Sequence, residues 1–347
     1  MYSPRYARAF GRAVRVCRKE RFLPVEAFRL GLFDPDADAG EPARYVSRKR
    51  LTKIQKALNP ESWAPLARDK GIFYRYCMAV GVPIPRLYAI FFPGAGGWSC
   101  DGASLAGRED WQSFLSGHVP PEFVVKPARG AWGRGVNVFG RNGREFTDAF
   151  GVSYTAESLY EALRSAAADD GIVLQERLRN HPELIRLSGT EFLQTVRVIT
   201  LLDGDGCRIL HAHFKPIVGP HVVDTFLDGM TGPVQAAVEL ESGLLKAANQ
   251  ITGTGRGIRA IPVHPETGVA FEGFALPLWQ QTRALVEATA VKFWPLRTIG
   301  WDVALTPNGP RIVEGNVWWD PPNQHDCMGR LVEALSAAAG GDMGAGR

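Results

Sequence analysis

Ile299-Gly300-Trp301-Asp302-Val303-Ala304-Leu305 and Arg311-Ile312-Val313-Glu314-Gly315-Asn316 flank the turn Thr306-Pro307-Asn308-Gly309-Pro310, and this segment constrains the fold more than any other. Proline, asparagine and glycine punctuate a turn between two β-forming runs, so the pattern predicts two adjacent strands. Glu314 and Asn316 are two apart and share a strand face; Asp302 can face the same side from the neighbouring strand. Two carboxylates and a carboxamide suit Mg²⁺, a hard cation often shared between protein oxygens and substrate phosphates. A surface hairpin with solvated acids would read the same way, so the choice rests on residues upstream.

Phe123-Val124-Val125-Lys126-Pro127 is a short apolar strand ending in a lysine. Ala128-Arg129-Gly130-Ala131-Trp132-Gly133-Arg134-Gly135 follows, then the apolar run Val136-Asn137-Val138-Phe139. Glycines in such a hairpin let backbone N–H groups approach phosphate oxygens. The loop lacks the Gly-Lys-Ser/Thr of a Walker A sequence and returns to a strand, which excludes the P-loop and dinucleotide fingerprints. An ordinary turn remains the alternative. A third strand, Gly171-Ile172-Val173-Leu174-Gln175-Glu176-Arg177-Leu178, turns polar at its end, where backbone groups can meet an adenine ring.

In this order the pieces resemble the ATP-grasp superfamily. The resemblance starts at Asp69-Lys70, which lead a helix ending at Gly81-Val82-Pro83-Ile84-Pro85, and covers residues 67–330. The branch it looks like is the sugar-transfer-associated ATP-grasp group, close to α-L-glutamate ligases. Thr195-Val196-Arg197-Val198-Ile199-Thr200, Val223-Asp224, His264-Pro265-Glu266-Thr267-Gly268 and Gly300-Trp301-Asp302 carry that likeness.

The resemblance implies an α+β ATP-grasp fold in which two α+β subdomains sandwich ATP. Residues 1–66 would form a helical N-terminal extension, 67–180 the first nucleotide-binding subdomain, 181–335 a second subdomain with the metal site, and 336–347 a flexible tail. It implies phosphate contacts from Lys70, Lys126, Arg129, Gly130, Gly133 and Gly135, with Arg134 in the same loop. Gln175, Glu176 and Leu178 would line the adenine pocket, and Glu183 would meet the ribose. Mg²⁺, or Mn²⁺ in its place, would sit at Asp302, Glu314 and Asn316, with Arg197 and Lys215 as catalytic residues. The implied reaction is ATP-dependent ligation of a small-molecule carboxylate to an amine or similar nucleophile through an acyl phosphate. Alternatives are a phosphotransferase acting on a hydroxyl and a non-catalytic nucleotide-binding scaffold.

Several residues read two ways without the resemblance. Arg197 interrupts a β-forming run, and a charge there needs a ligand or a structural ion pair. His211, His213 and Lys215 alternate and share a face, with no third zinc ligand nearby. Asp224 is a candidate substrate contact or a turn acid. After Asn316 the chain runs Val317-Trp318-Trp319-Asp320-Pro321-Pro322-Asn323-Gln324-His325, where many ATP-grasp enzymes have a Pro-Gly turn. Trp318 and Trp319 either stack on an acceptor or pack in the core, and Trp132 is bulky enough to act as a lid.

A length of 347 residues suits two or three subdomains around a cleft. A net charge of +4 permits anionic ligands and does not call for nucleic acid. The five cysteines are scattered without a CxxC pair, which fits a reducing, cytoplasmic setting. No apolar run is long enough to span a bilayer. Arg5, Arg8, Arg12, Arg15 and Lys19 recur at three- and four-residue steps, so one helical face is basic. That face either contacts an anionic membrane surface or is a solvated side of a packed helix. Asp34 to Pro42 reads as a linker. Ser47 is placed to cap a helix ending at Leu58, and residues 277–294 read as another helix.

Overall fold

Short β-forming runs joined by tight turns favour antiparallel pairing. Both sheets of the computed structural model are antiparallel throughout the pairs seen in register. The structure describes residues 4–36, 45–94, 96–130, 133–167, 170–204, 206–219, 234–322 and 325–341, with side chains excepted at 325–327 and 341. Trp132, Val223, Asp224, Asn323, Gln324 and part of the Asp34–Pro42 linker lie outside the described residues.

The chain begins with α1 (Pro4–Glu20), α2 (Pro24–Arg29), α3 (Arg48–Leu58), α4 (Pro65–Arg68) and α5 (Lys70–Ala79). Next come β1 (Leu87–Phe92), β2 (Gly96–Ser99), α6 (Arg108–Gly117), β3 (Glu122–Pro127), β4 (Asn137–Asn142), β5 (Glu145–Asp148), β6 (Ser153–Tyr154), α7 (Ala156–Ala167) and β7 (Ile172–Glu176). Then follow α8 (Pro182–Ser188), β8 (Thr195–Asp203), β9 (Gly206–Lys215), β10 (Val234–Val238), β11 (Leu245–Ile251) and β12 (Ile258–Ile261). The chain closes with α9 (Trp279–Lys292), β13 (Thr298–Thr306), β14 (Gly309–Asn316) and α10 (His325–Gly341).

Two units result. The larger contains Met1–Ala64, Asn180–Pro310 and Gly315–Arg347; the smaller contains Pro65–Arg179 and Arg311–Glu314. In the smaller unit the described strands order as β2-β1-β7-β3-β4-β5-β6. Phe123, Val125, Phe139, Phe146, Ile172 and Leu174 pack with Trp111, Phe114 and Leu115 of α6 and Leu159 and Leu163 of α7. Each large apolar side chain so buried contributes about 1.5–3 kcal/mol. Strand alternation turns Lys126 and Gln175 to the opposite face. Asp69 caps α5 by accepting from the Ile72 N–H at 3.1 Å.

In the larger unit the strands order as β12-β11-β10-β9-β8-β13-β14. Every residue of β13 is buried, as in a strand covered on both faces. Ile199 and Leu201 of β8 pack with α3 and α10 through Leu51, Leu58, Trp319, Leu331 and Leu335. Trp301 packs against Phe293, ring centroids 5.0 Å apart, and donates to Thr200 Oγ1 at 2.9 Å. Ser47 caps α3, accepting from the Arg50 N–H at 3.1 Å. At the other end the buried Asn59 amide donates to the Thr298 carbonyl at 2.7 Å and accepts from its N–H at 3.0 Å.

Of the tail expected over 336–347, residues 336–341 continue α10, which runs to Gly341, and 342–347 lie outside the described residues. Leu335 is fully buried in the α3–α10 core, and Ala338 and Ala339 pack against it. Alanine is the best helix former, so an Ala-rich end with an apolar anchor continues the helix.

Candidate functional site

Register assembles the polar group of the larger unit. β8 pairs with β9 and β13 so that His213, Arg197 and Asp302 stand directly opposite one another across three strands. Lys215 lies two residues along β9 on the same face. Arg197 forks onto Asp302, with Nε to Oδ1 at 2.6 Å and Nη2 to Oδ2 at 2.8 Å. The Lys215 ammonium stands 3.2 Å from Oδ1. Asn316 Nδ2 donates to the Gly300 carbonyl at 3.3 Å and lies 3.5 Å from Asp302 Oδ2. Glycine at 300 leaves room for this: a Cβ there would stand 3.0 Å from Trp319 Cβ and 3.1 Å from Arg197 Cδ. The charge interrupting β8 therefore has an ion-pair partner.

Burial by itself would raise the Asp302 carboxyl pKa, but Arg197 and Lys215 outweigh it and hold the group well below the usual range. Burial pushes the His213 imidazole well below its ordinary value, and His211, Arg197 and Lys215 push it further. His213 is therefore neutral in the fold. Below pH ~6.5 the unfolded chain gains a proton at this histidine that the folded chain does not. Stability accordingly falls as the pH drops below that point, by about 1.4 kcal/mol per pH unit for one such group. Urea midpoints measured from pH 7 to 5 should fall, and His213→Gln should flatten the slope. An unchanged slope in that variant would remove His213 as the cause.

The smaller unit holds the candidate phosphate lysines. Lys126, at the end of β3, is buried and donates to the Tyr74 hydroxyl at 2.7 Å, its ammonium 4.9 Å from that ring's centroid. Tyr74 donates to the Val313 carbonyl at 2.7 Å. Burial raises the Tyr74 pKa well above normal, Glu314 and Cys77 add to this, and a hydrogen bond from Gln175 opposes it. Gln175 is buried and its Oε1 has no hydrogen-bond partner among the described residues. Lys70, the first residue of α5, is also buried; its ammonium reaches the Gly130 carbonyl at 3.3 Å and Glu314 Oε1 at 3.2 Å.

The glycine loop is held at its described residues by conformations that glycine allows. Gly133 and Gly135 have φ of 68° and 73°, and a Cβ at Gly135 would meet Pro127 Cγ at 2.9 Å. Gly130 lacks such a clash. Arg129 is exposed and pairs with Asp69 at 3.2 Å and Asp170 at 3.4 Å. Glu176 is half-buried and accepts from the Arg86 N–H at 3.0 Å, and Leu178 is buried. Glu183, the ribose candidate, belongs to the larger unit and is exposed in the first turn of α8, ion-paired with Arg186 at 2.8 Å.

The expected metal ligands divide between the units: Asp302 and Asn316 in the larger, Glu314 in the smaller. Two carboxylates and a carboxamide fit a hard cation chemically. Each carboxylate presently faces protein ammonium or guanidinium groups. Among the described residues no group of three or more His, Cys, Asp or Glu could hold a metal ion. Trp319 is buried in the α3–α10 core, which settles it as packing, while Trp318 lies under the Lys56 ammonium, 5.6 Å from its ring centroid.

Sequence reasoning missed Tyr74. Its only signal is position, one turn after Lys70 on the same helix; its link to Lys126 spans 52 residues.

A family model described as sugar-transfer associated ATP-grasp matches residues 49–323. No curated protein matches in sequence. Among solved structures, an L-amino acid ligase from Bacillus licheniformis is similar at 11% identity and TM-score 0.40, over 73% of this chain and 41% of that one. Biotin carboxylase from Campylobacter jejuni, solved as a β-γ-ATP complex, is similar at 14% identity and TM-score 0.45, over 79% of this chain and 46% of that one. The D-cycloserine synthetase DcsG is similar at 17% identity and TM-score 0.40, over 79% of this chain and 71% of that one. The chain thus spans less than half the length of the first two. Likeness at this level carries no inference about substrate or chemistry.

Proposed function

The chain belongs to the sugar-transfer-associated ATP-grasp family, and from that premise we propose that it is an ATP- and Mg²⁺-dependent ligase joining a carboxylate to an amine or similar nucleophile. The observation that carries the nucleotide part is the pair of buried lysines, Lys70 and Lys126, placed beside a glycine loop in one unit. Lys126 lies on the sheet face away from the helical core and Lys70 opens α5, so a protein carboxylate and a ligand phosphate can both be served by ammonium groups beside the loop. A phosphate about 4 Å from one such lysine gains on the order of 4 kcal/mol at an effective dielectric of 20, before desolvation. The unpartnered Gln175 Oε1 can accept from an amino group on the ligand base.

In this reading the carboxylate substrate attacks the γ-phosphorus of ATP and ADP leaves. The amine then attacks the acyl carbon, loses a proton, and inorganic phosphate departs. Lys70 and Lys126 bind phosphate oxygens, and Arg197 and Lys215 neutralise charge on the acyl phosphate. Asp302, Glu314 and Asn316 would hold Mg²⁺, which supplies charge neutralisation on the phosphates.

The test is product analysis with candidate carboxylates and amines. ADP and inorganic phosphate are expected in equal amounts, with a hydroxamate formed when hydroxylamine replaces the amine, because an activated acyl group is open to a small nucleophile. ADP with a stable phosphorylated product and no free phosphate would reassign the chain as a phosphotransferase. ATP binding without ADP formation from any carboxylate or alcohol would favour a nucleotide-binding scaffold.

A further inference from the structure

Helix α1 carries a charge imbalance that the nucleotide chemistry does not use. Pro4–Arg21 contains seven basic residues and one acidic one, a net of +6, while the whole chain carries +4, so the remaining residues are net negative. Neighbouring acids are already engaged, and only Asp36 is engaged by a cation of this helix. Glu20 pairs with Arg50 at 2.6 Å, Glu26 accepts from the N–H groups of Leu23 and Arg48, and Asp36 pairs with Arg5. Among the described residues Arg8, Arg15, Arg18, Lys19 and Arg21 have no carboxylate partner.

The same helix shows exposed apolar side chains. Ala9 and Ala13 face inward, beside Phe22, Ala27 and Leu32. Tyr6 and Phe10, one turn apart, are 59% and 61% exposed. Leu23 and Val25, just beyond the helix, are each 56% exposed. At 100° per residue, Arg8, Arg15 and Lys19 lie along one rim of the outward surface and Phe10 along the other, with Ala7, Gly11, Val14 and Arg18 between them and Tyr6 beyond Phe10 toward the packed side. Arg18, exposed in the middle, adds a fourth cation to this face.

We propose that the outward face of α1 docks the protein on an anionic lipid bilayer, with Arg8, Arg15, Arg18 and Lys19 at lipid phosphates and Phe10 in the headgroup layer at its rim. Charge complementarity selects an anionic partner, and the exposed aliphatic Leu23 and Val25, with Phe10, suit the apolar boundary of a membrane better than a nucleic acid. The apolar area is small, so binding is reversible and sensitive to salt. No helix among the described residues is long and apolar enough to cross a membrane, so the contact is peripheral.

The test is sedimentation of the full chain with vesicles of phosphatidylcholine alone or with phosphatidylglycerol added. Binding is expected only with the anionic lipid and should fade as salt rises from 50 to ~500 mM. Arg8→Glu with Arg15→Glu should weaken it at least tenfold, since each basic residue near such a surface contributes about 1 kcal/mol. Phe10→Ala should weaken it several-fold without altering the salt dependence. Circular dichroism and the Mg-ATP thermal shift, both expected to match wild type, confirm that these variants fold. Absence of sedimentation with anionic vesicles would overturn the proposal, as would unchanged binding by the folded charge-reversal variant. Tighter binding to a single-stranded RNA than to the vesicles at equal salt would replace the membrane with a nucleic acid.

Discussion

Asp302→Asn is expected to lower stability by about 3–5 kcal/mol, the cost of removing one partner from a buried ion pair. The carboxylate lies between Arg197 at 2.6 and 2.8 Å and Lys215 at 3.2 Å. All three side chains are largely out of water. Asparagine keeps the volume but leaves two cations on one strand face without a counter-charge. Urea unfolding at pH 7 should show the loss as a lower midpoint with an unchanged slope. The double variant Arg197→Met with Asp302→Asn should recover part of it, because one stranded charge is gone. Glu314→Gln is the contrast: Glu314 is more exposed, and Lys70 keeps its bond to the Gly130 carbonyl. About 1–2 kcal/mol is expected there. An Asp302→Asn midpoint matching wild type would show that the fork contributes nothing to the fold. The cluster would then be open to reassignment as a ligand site alone.

That first expectation also shows where sequence reading stops. Strand alternation fixes which neighbours share a strand face with Arg197, Lys215 and Asp302, and the hairpin around Pro307 places Asp302 beside a neighbouring strand. Neither says that Asp302 stands opposite Arg197, because register between β8 and β13 is set by the packing of Trp301, Ile199 and Leu201. Local signals did better. Ser47 and Asp69 cap the helices they precede, since an N-cap acts within three residues. The ATP-grasp order of motifs was visible because glycine loops and acidic hairpins are short-range patterns. Strands β11 and β12 were not anticipated. Leu245–Ile251 contains two alanines, an asparagine and a glutamine, and β-propensity there yields to pairing with β10. Helix α10 was hidden by an Ala/Gly-rich composition whose order comes from Leu331 and Leu335 on the α3 surface.

Lys126→Met should abolish most of the thermal stabilisation by Mg-ATP while leaving the apo protein close to wild type. Methionine reproduces the length of the lysine stem over the Tyr74 ring, 4.9 Å from the ammonium, but carries no charge. The Tyr74 oxygen still receives a hydrogen bond from Gln175 and still donates to the Val313 carbonyl at 2.7 Å, so the fold loses one donor and one buried charge together. At 100 times its dissociation constant, Mg-ATP stabilises wild type by about 2.7 kcal/mol. A lysine–phosphate contact on the order of 4 kcal/mol before desolvation corresponds to roughly a hundredfold in affinity when a third is lost to desolvation. The same ATP concentration would then stabilise the variant by only about 0.4 kcal/mol. Lys126→Arg should restore the charge without full affinity, because a planar guanidinium cannot occupy the same point above the ring. Calorimetry at millimolar Mg-ATP reads both variants directly. Wild-type heats from Lys126→Met would mean that Tyr74 holds Lys126 as a structural lysine, and the phosphate-binding role would pass to Lys70, where Lys70→Met should then remove the signal.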